Sequence, residues 1–289
     1  RTLSPRLTRV EKPTRTSARS AKRASILVRL AEAATEFNRI FTGWRRFRID
    51  ALTATRGRPL TMPMRLLSKL IKGNDPARKS RLHSQRGDFV GCRMLRTMPP
   101  AIWTGMVAKL TGKRPQAPWI PYSAAEVLKA GLTKDSVVLE YGSGQSTIWL
   151  ARHAGKVISL EHYEPWYERV TKQLAEAGLD NVEYRLETTD HYHQFPDDPQ
   201  VRFDLIVVDG VYRNECSIQA LKLLKPGGML YVDDTDKAPE LGEGTEMAKI
   251  RQRVIDHHRD HGGRLEFFVD FSPAQFFVKE GLIYWAPEG

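Results

Sequence analysis

Cysteine is nearly missing from this 289-residue chain: Cys92 and Cys216 are the two present, too few and too far apart for a disulfide framework or a four-ligand zinc site. That scarcity fits a reducing compartment, so a cytoplasmic location is expected. No apolar run approaches the roughly 18 to 20 residues that span a bilayer, which excludes an integral membrane helix. Residues 1–25 lack the apolar segment of a secretory signal, and the first residue is Arg rather than Met, as in a processed or truncated chain. No tandem repeat is visible. What is present is enough for a core: 41% of residues are hydrophobic and 27% charged, which excludes a wholly disordered chain, a collagen-like repeat and a coiled-coil rod.

Acidic residues are scarce in only one part of the chain. Residues 1–115 hold 27 Lys and Arg against 6 Asp and Glu, a net charge of +21, whereas residues 116–289 hold 18 against 28, a net of −10. The overall charge of +11 therefore describes the N-terminal part alone. Residues 1–24 are rich in Arg, Ser and Thr and bury too little apolar area to offset ordering, so they are expected to form a disordered basic tail. Over residues 25–48, Ile26, Leu30, Ala33, Phe37, Ile40, Phe41, Trp44 and Phe47 recur at three- and four-residue spacings, the mark of one helical face. Shorter apolar-basic segments follow at 64–72 and 101–110, so residues 25–115 read as a helical basic extension or cap. Its partner is the acidic remainder of the chain, an anionic membrane surface reached through residues 25–48, or a nucleic acid.

From Leu132 onward short β-rich runs alternate with helical stretches, which predicts βαβ units and a mainly parallel sheet in a domain over 116–289. Strands are expected at 137–140, 156–161, 182–186, 203–209, 229–232, 265–269 and 276–284, with helices at 165–177 and 218–224 and a tight turn at 225–228. The first strand runs into Tyr141-Gly142-Ser143-Gly144-Gln145-Ser146-Thr147, where glycines admit a ligand close to the backbone and the following helix offers free N–H groups. The second strand ends in Glu161, 17 residues after Gly144, where a carboxylate can accept both hydrogen bonds of a ribose diol. The fourth ends in Asp209 and the fifth in Asp233-Asp234.

The ordered set VLEYGSGQST, ISLEH, FDLIVVDG and LLKPGGMLYVDD closely resembles the class I S-adenosylmethionine-dependent methyltransferases. The resemblance implies an α/β, Rossmann-like, doubly wound seven-stranded sheet of order 3-2-1-4-5-7-6 with an antiparallel seventh strand. It also implies that Glu140, Tyr141, Gly142, Ser143, Gly144 and Ser146 face the methionine part of S-adenosylmethionine. Glu161 would hold the ribose and His162 would flank the adenine. The adenine amino group would fall to the acid after the third strand, Glu187 or Asp190, with Asp190 taken as the binding residue. The run Asp209-Gly210 to Arg213 and Cys216 is similar to a bacterial branch of the family known chiefly by its fold.

A sulfonium methyl is already electrophilic, so the protein has to align an acceptor and, for a hydroxyl, remove a proton. Asp209 is the first candidate for that acceptor-facing role and His162 the second, ahead of His191 and His193; Asp209 would also lie beside the cofactor. Arg213 is a candidate clamp for an acidic acceptor or a partner for Glu215, and Cys216 is expected in the core. Asp209, Asp233 and Asp234 are a candidate Mg²⁺ site, similar to metal-dependent catechol-type O-methyltransferases except that an Asp-Asp pair stands where those carry Asp-Asn. The lack of an Asn-Pro-Pro-Tyr type motif speaks against amino methylation. The expected reaction is O-methylation of a small molecule or glycan. Its rivals are methylation of nucleic acid through the basic region and an inactive, membrane-associated binding module.

Overall fold

Runs dense in Val, Leu and Ile pair into a seven-stranded sheet: β1 (Val137–Tyr141), β2 (Lys156–Glu161), β3 (Val182–Leu186), β4 (Phe203–Val208), β5 (Leu224–Val232), β6 (Arg264–Phe271) and β7 (Val278–Trp285). The computed structural model describes residues 72, 75, 77–112, 115–188, 191–196, 198, 200–237 and 246–289. The tail at 1–24, the amphipathic segment at 25–48, most of 64–72 and Asp190 lie outside the described residues. The strand order is 3-2-1-4-5-7-6, with β1 to β5 parallel to one another and β7 antiparallel to both β5 and β6, as the motifs imply.

The helices are α1 (Met98–Thr111), which follows a short 3₁₀ turn at Cys92–Thr97, then α2 (Tyr122–Gly131), α3 (Gln145–His153), α4 (Glu164–Ala177), α5 (His191–Gln194), α6 (Arg213–Leu223) and α7 (Glu246–His261). Among the described residues, no helix is long and apolar enough to cross a membrane. The chain divides into two compact units, Arg1–Leu60 with Met106–Lys113 and Thr61–Gly105 with Arg114–Gly289. Of the first unit only residues 106–112 are described, as the second half of α1; the sheet belongs to the second unit.

Side-chain alternation along the central strands sorts the core onto two faces. Leu139, Tyr141, Ile206 and Val208 are buried with Cys216 and Ala220 of α6 and with Ile250 and Val254 of α7. Val138, Leu205 and Val207 are buried on the other side with Leu128 of α2 and Leu150 and Ala151 of α3. Each such aliphatic side chain contributes about 1.5 to 3 kcal/mol through its removal from water.

One expectation is corrected here. Lys225-Pro226-Gly227-Gly228 is part of β5 rather than a turn before it. The β4–β5 register slips between Phe203↔Leu224 and Leu205↔Met229, so the extra residues form an irregularity inside the strand. The described stretch from 77 to 91, between the apolar-basic segments at 64–72 and 101–110, is built of turns and a His83↔Phe89 bridge.

That stretch is tied down by polar contacts within its unit. Arg78 pairs with Asp236 at 3.3 Å and with Asp75 at 2.8 Å and donates to the Val278 carbonyl, and the Gln85 N–H donates to Asp236 Oδ2 at 3.0 Å. Farther along, Thr97 Oγ1 donates to Asp270 Oδ1 at 2.5 Å, and the Ser123 N–H donates to Asp270 Oδ2 at 2.9 Å. Arg78, one cation of the basic region, thus meets a carboxylate beside β5 and β7.

Candidate active site

Connections leave β1 toward β2 and leave β4 toward β5, so the carboxyl ends of β1 and β4 form the topological switch point of the sheet, where this architecture opens a crevice. Two glycines let the crevice close at its floor. Gly142 has φ +94°, and a Cβ there would lie 2.5 Å from the Cα and N of Gly210; a Cβ on Gly210 would overlap the Tyr192 hydroxyl and lie 2.9 Å from Gly142 N. The loops after β1 and β4 can therefore touch only with no side chain at either position. Asp209 N–H donates to Tyr141 O at 2.9 Å and Gly142 N–H to Leu160 O at 3.0 Å, which locks both loops to the sheet.

Glu140 is fully buried beneath this floor. Its Oε2 accepts hydrogen bonds from Thr147 Oγ1 and Ser159 Oγ, both at 2.6 Å, while Oε1 has no hydrogen-bond partner. Burial pushes the Glu140 carboxyl up to about 7, against the pull of the Ser146, Ser159 and Thr147 hydroxyls and with a smaller push from the charge of Asp209. Thr147 Oγ1 also accepts from the Gly144 N–H at 2.9 Å, joining this acid to the start of α3.

Above the floor lies a cavity of about 380 Å³, lined by Gly142, Ser143, Glu161, His162, Tyr163, Trp166, Asp209, Gly210 and Val211. Glu161 is held on every side. Oε2 accepts from Ser143 Oγ at 2.6 Å and Ser143 N at 3.3 Å, and Oε1 accepts from the N–H groups of His162 at 2.9 Å and Tyr163 at 3.0 Å. His162 Nδ1 is 3.2 Å from Glu161 Oε1, a carboxylate–imidazole pair at the cavity wall. Ser143 Oγ also lies 2.7 Å from Tyr184 Oη, and Trp166 Nε1–H donates to Ser143 O at 2.8 Å, so the glycine loop is anchored from both sides.

Asp209 lines the cavity with its Oδ1 bound to Arg213 at 2.7 Å. Arg213 further donates to the carbonyls of Asp209, Gly210 and Asp233 at 2.8, 2.9 and 2.9 Å. Four of its five N–H donors fasten the ends of β4 and β5 together. Burial opposes its charge, yet Asp209, Asp234 and Asp233 push its pKa up.

Asp209, Asp233 and Asp234 do converge, with one oxygen of each within 4.8 Å of the others. They do not fit a divalent metal. The buried Lys279 ammonium bonds Asp233 Oδ2 and reaches Asp234 Oδ1 at 2.9 Å, Lys237 pairs with Asp234, and Arg213 with Asp209. Three cationic side chains already balance three carboxylates, and Mg²⁺ would require near-octahedral oxygens about 2.1 Å away in place of these bonds. The expected Mg²⁺ ligands are thus engaged by side-chain cations in this structure.

The remaining expected residues are dispersed. The Tyr141 ring lies in the core, its hydroxyl donating to Phe195 O at 2.7 Å, so Tyr141 reaches the loop only through its backbone. Ser146 is half-buried beside Glu140. Tyr192 is fully buried with its hydroxyl unpaired, and His193 rests against the Tyr212 ring; neither lines the cavity, and nor does His191. Glu187 gives its N–H to Glu161 O at 2.7 Å. Cys216 is buried in the core as expected, and burial pushes its thiol pKa up. Tyr163, Trp166 and Tyr184 went unremarked in the sequence, although the first two follow Glu161 closely enough to be sought in the same loop and helix start. Lys279 carried no local signal.

Residues 139–235 match the family described as "Methyltransferase domain". Over 123 residues the chain is 35% identical to protein-L-isoaspartate O-methyltransferase 1 of Nitrosospira multiformis, an alignment covering 42% of this chain and 49% of that protein. The chain thus spans about half the length of that relative. Among solved structures it is similar to the O-methyltransferase TomG from Streptomyces achromogenes, determined with SAM, at 18% identity and a TM-score of 0.50 over 77% of this chain and 94% of that one. An O-methyltransferase from Bacillus cereus solved with SAH gives 20% identity and a TM-score of 0.49 over 66% and 90%.

Proposed function

We propose that the chain is a class I methyltransferase that transfers a methyl group from S-adenosylmethionine to an oxygen of a small molecule or glycan, a reading supported by the match of residues 139–235 to the methyltransferase domain family. The observation that carries this reading is the crevice at the switch point, floored by the Gly142–Gly210 approach and walled by Glu161 and His162. The cradle suits the cofactor because Gly142 and Gly210 line it with backbone and no side chain, and because Glu161 sets a carboxylate in its wall. The residues assigned to hold it are the Gly142–Gly144 backbone, Glu161, His162, Asp209 and, outside the described residues, Asp190.

When bound, S-adenosylmethionine supplies an electrophilic methyl group on sulfur. Glu161 is set to receive a ribose diol: Ser143 Oγ has Tyr184 Oη as a second partner at 2.7 Å, so it can turn away and free a lone pair on Glu161 Oε2. His162 is the better of the two candidate bases. Glu161 orients its imidazole through Nδ1, whereas Asp209 is bound to Arg213. Asp209 then acts as a fixed negative wall of the cavity, suited to the cationic end of the donor. Oxygen is favoured as the acceptor atom because the amino-methylation motif is missing after β4.

Calorimetry with S-adenosylhomocysteine tests the cofactor reading: the chain should bind one equivalent, and Glu161→Ala should weaken binding at least about tenfold, the equivalent of one charge-assisted hydrogen bond. No binding by the wild-type chain would overturn it. Product analysis with labelled donor tests the acceptor atom, and label on nitrogen or carbon would overturn the oxygen assignment.

A further inference from the structure

Lys279 is a charged residue in the middle of a buried strand. It lies on β7 between Val278 and Glu280, and both neighbours are buried as well. A lone ammonium in that position is strongly disfavoured unless its protons are used. All three have a partner: Asp233 Oδ2, Asp234 Oδ1 at 2.9 Å and the Trp119 carbonyl at 3.0 Å. The carboxylates are prepared for it in turn. Tyr231 Oη donates to Asp233 Oδ1 at 2.6 Å, which leaves Oδ2 for the ammonium. Asp234 is held at φ +58°, a left-handed conformation costly for a residue with a Cβ, and its second oxygen is taken by Lys237. Arg213 closes the group from the side of β4, through Asp209 Oδ1 and the Asp233 carbonyl.

We propose that the Lys279 ammonium is a built-in cation standing among Asp209, Asp233 and Asp234 where a divalent metal could otherwise be held. The domain is accordingly metal-independent, and removing the ammonium turns the carboxylate cluster into a metal site. An acceptor is then presented to the methyl donor without being chelated, which separates this chain from enzymes that grip a vicinal diol through Mg²⁺. The cation-binding inference stands apart from the methyl-transfer reading, and its consequence for the acceptor rests on that reading.

Mn²⁺ and Mg²⁺ serve as probes on the full chain. The wild type, stripped with EDTA, should show no stoichiometric Mn²⁺ binding by electron paramagnetic resonance and no change in melting temperature on adding Mg²⁺. Lys279→Met should melt lower and regain about 2 to 4 °C in a saturable manner with either ion, while Lys279→Arg should behave as the wild type. Asp233→Asn in the Lys279→Met background should abolish the response. Should Lys279→Met not fold, Lys279→Gln, which can still donate to a carboxylate, takes its place in the same titration. One equivalent of Mn²⁺ bound by the wild type and lost in Asp233→Asn would overturn the proposal, and so would a folded Lys279 variant indifferent to both ions.

Discussion

Replacing Gly210 by Ala probes the contact on which the crevice is built. The new Cβ would overlap the Tyr192 hydroxyl and come within 2.9 Å of Gly142 N and 3.0 Å of Gly142 Cα. Tyr192 has little room to retreat, because its buried ring is packed by Tyr141 at 5.8 Å, His162 at 6.2 Å and Tyr212 at 6.4 Å. Overpacking of this kind costs about 1 to 3 kcal/mol. The Tyr192 hydroxyl is itself buried without a partner, so Tyr192→Phe should be neutral or slightly stabilising, since an unpaired buried hydroxyl costs about 1 to 3 kcal/mol.

The double variant Tyr192→Phe/Gly210→Ala keeps only the tight approach to Gly142 and should recover about 1 to 2 kcal/mol of the loss, a measurable coupling. Gly142→Ala should be worse, at about 3 to 5 kcal/mol, because left-handed backbone strain adds to collision with Gly210 backbone, and Tyr192→Phe should not rescue it. Urea denaturation of the full chain gives each value. Binding of S-adenosylhomocysteine should weaken in step with displacement of the two loops. The reasoning fails if Tyr192→Phe alone loses more than about 1 kcal/mol, for its hydroxyl would then have a partner, or if the double variant is no more stable than Gly210→Ala.

Glu140 provides a pH test. Its carboxyl titrates at about 7 when folded against an ordinary value near 4.5, so the folded chain holds a proton that the unfolded chain has lost, and stability from this group falls as pH rises from 4.5 through 7. The loss is on the order of 3 kcal/mol, and Glu140→Gln should remove that slope from a plot of melting temperature against pH; an unchanged slope would refute the assignment. Arg213→Met should destabilise by about 3 to 5 kcal/mol in chemical denaturation, because it strands the Asp209 carboxylate and three carbonyls at the ends of β4 and β5. A loss below about 1 kcal/mol would show that the guanidinium is not the fastening it is taken to be.

Much of the sheet was legible before any coordinates. The bounds of β2 fall where the apolar run ends, since a strand of a parallel sheet covered on both faces writes its burial into consecutive residues. Glu161 was legible for a related reason: an acid closing such a run stands at the sheet's carboxyl edge. α7 was overlooked because Met247, Ile250 and Val254 are its three buried apolar positions in a stretch crowded with Arg, Asp and His. The 225–228 segment misled because Pro-Gly-Gly has the chemistry of a turn, yet the pairing of Phe203 with Leu224 keeps it within the strand.

The order of strand-end acids and the glycine loop follow from the sequence alone, because each depends on residues close together in the chain. Which charges meet depended on tertiary structure. Lys279 stands 46 positions from Asp233 and 160 from Trp119, and Tyr192 reaches Gly210 only once α5 packs under the crevice. Local periodicity states which face a side chain takes. It does not state what the opposite strand brings to that face, and here that was an ammonium ion among three carboxylates.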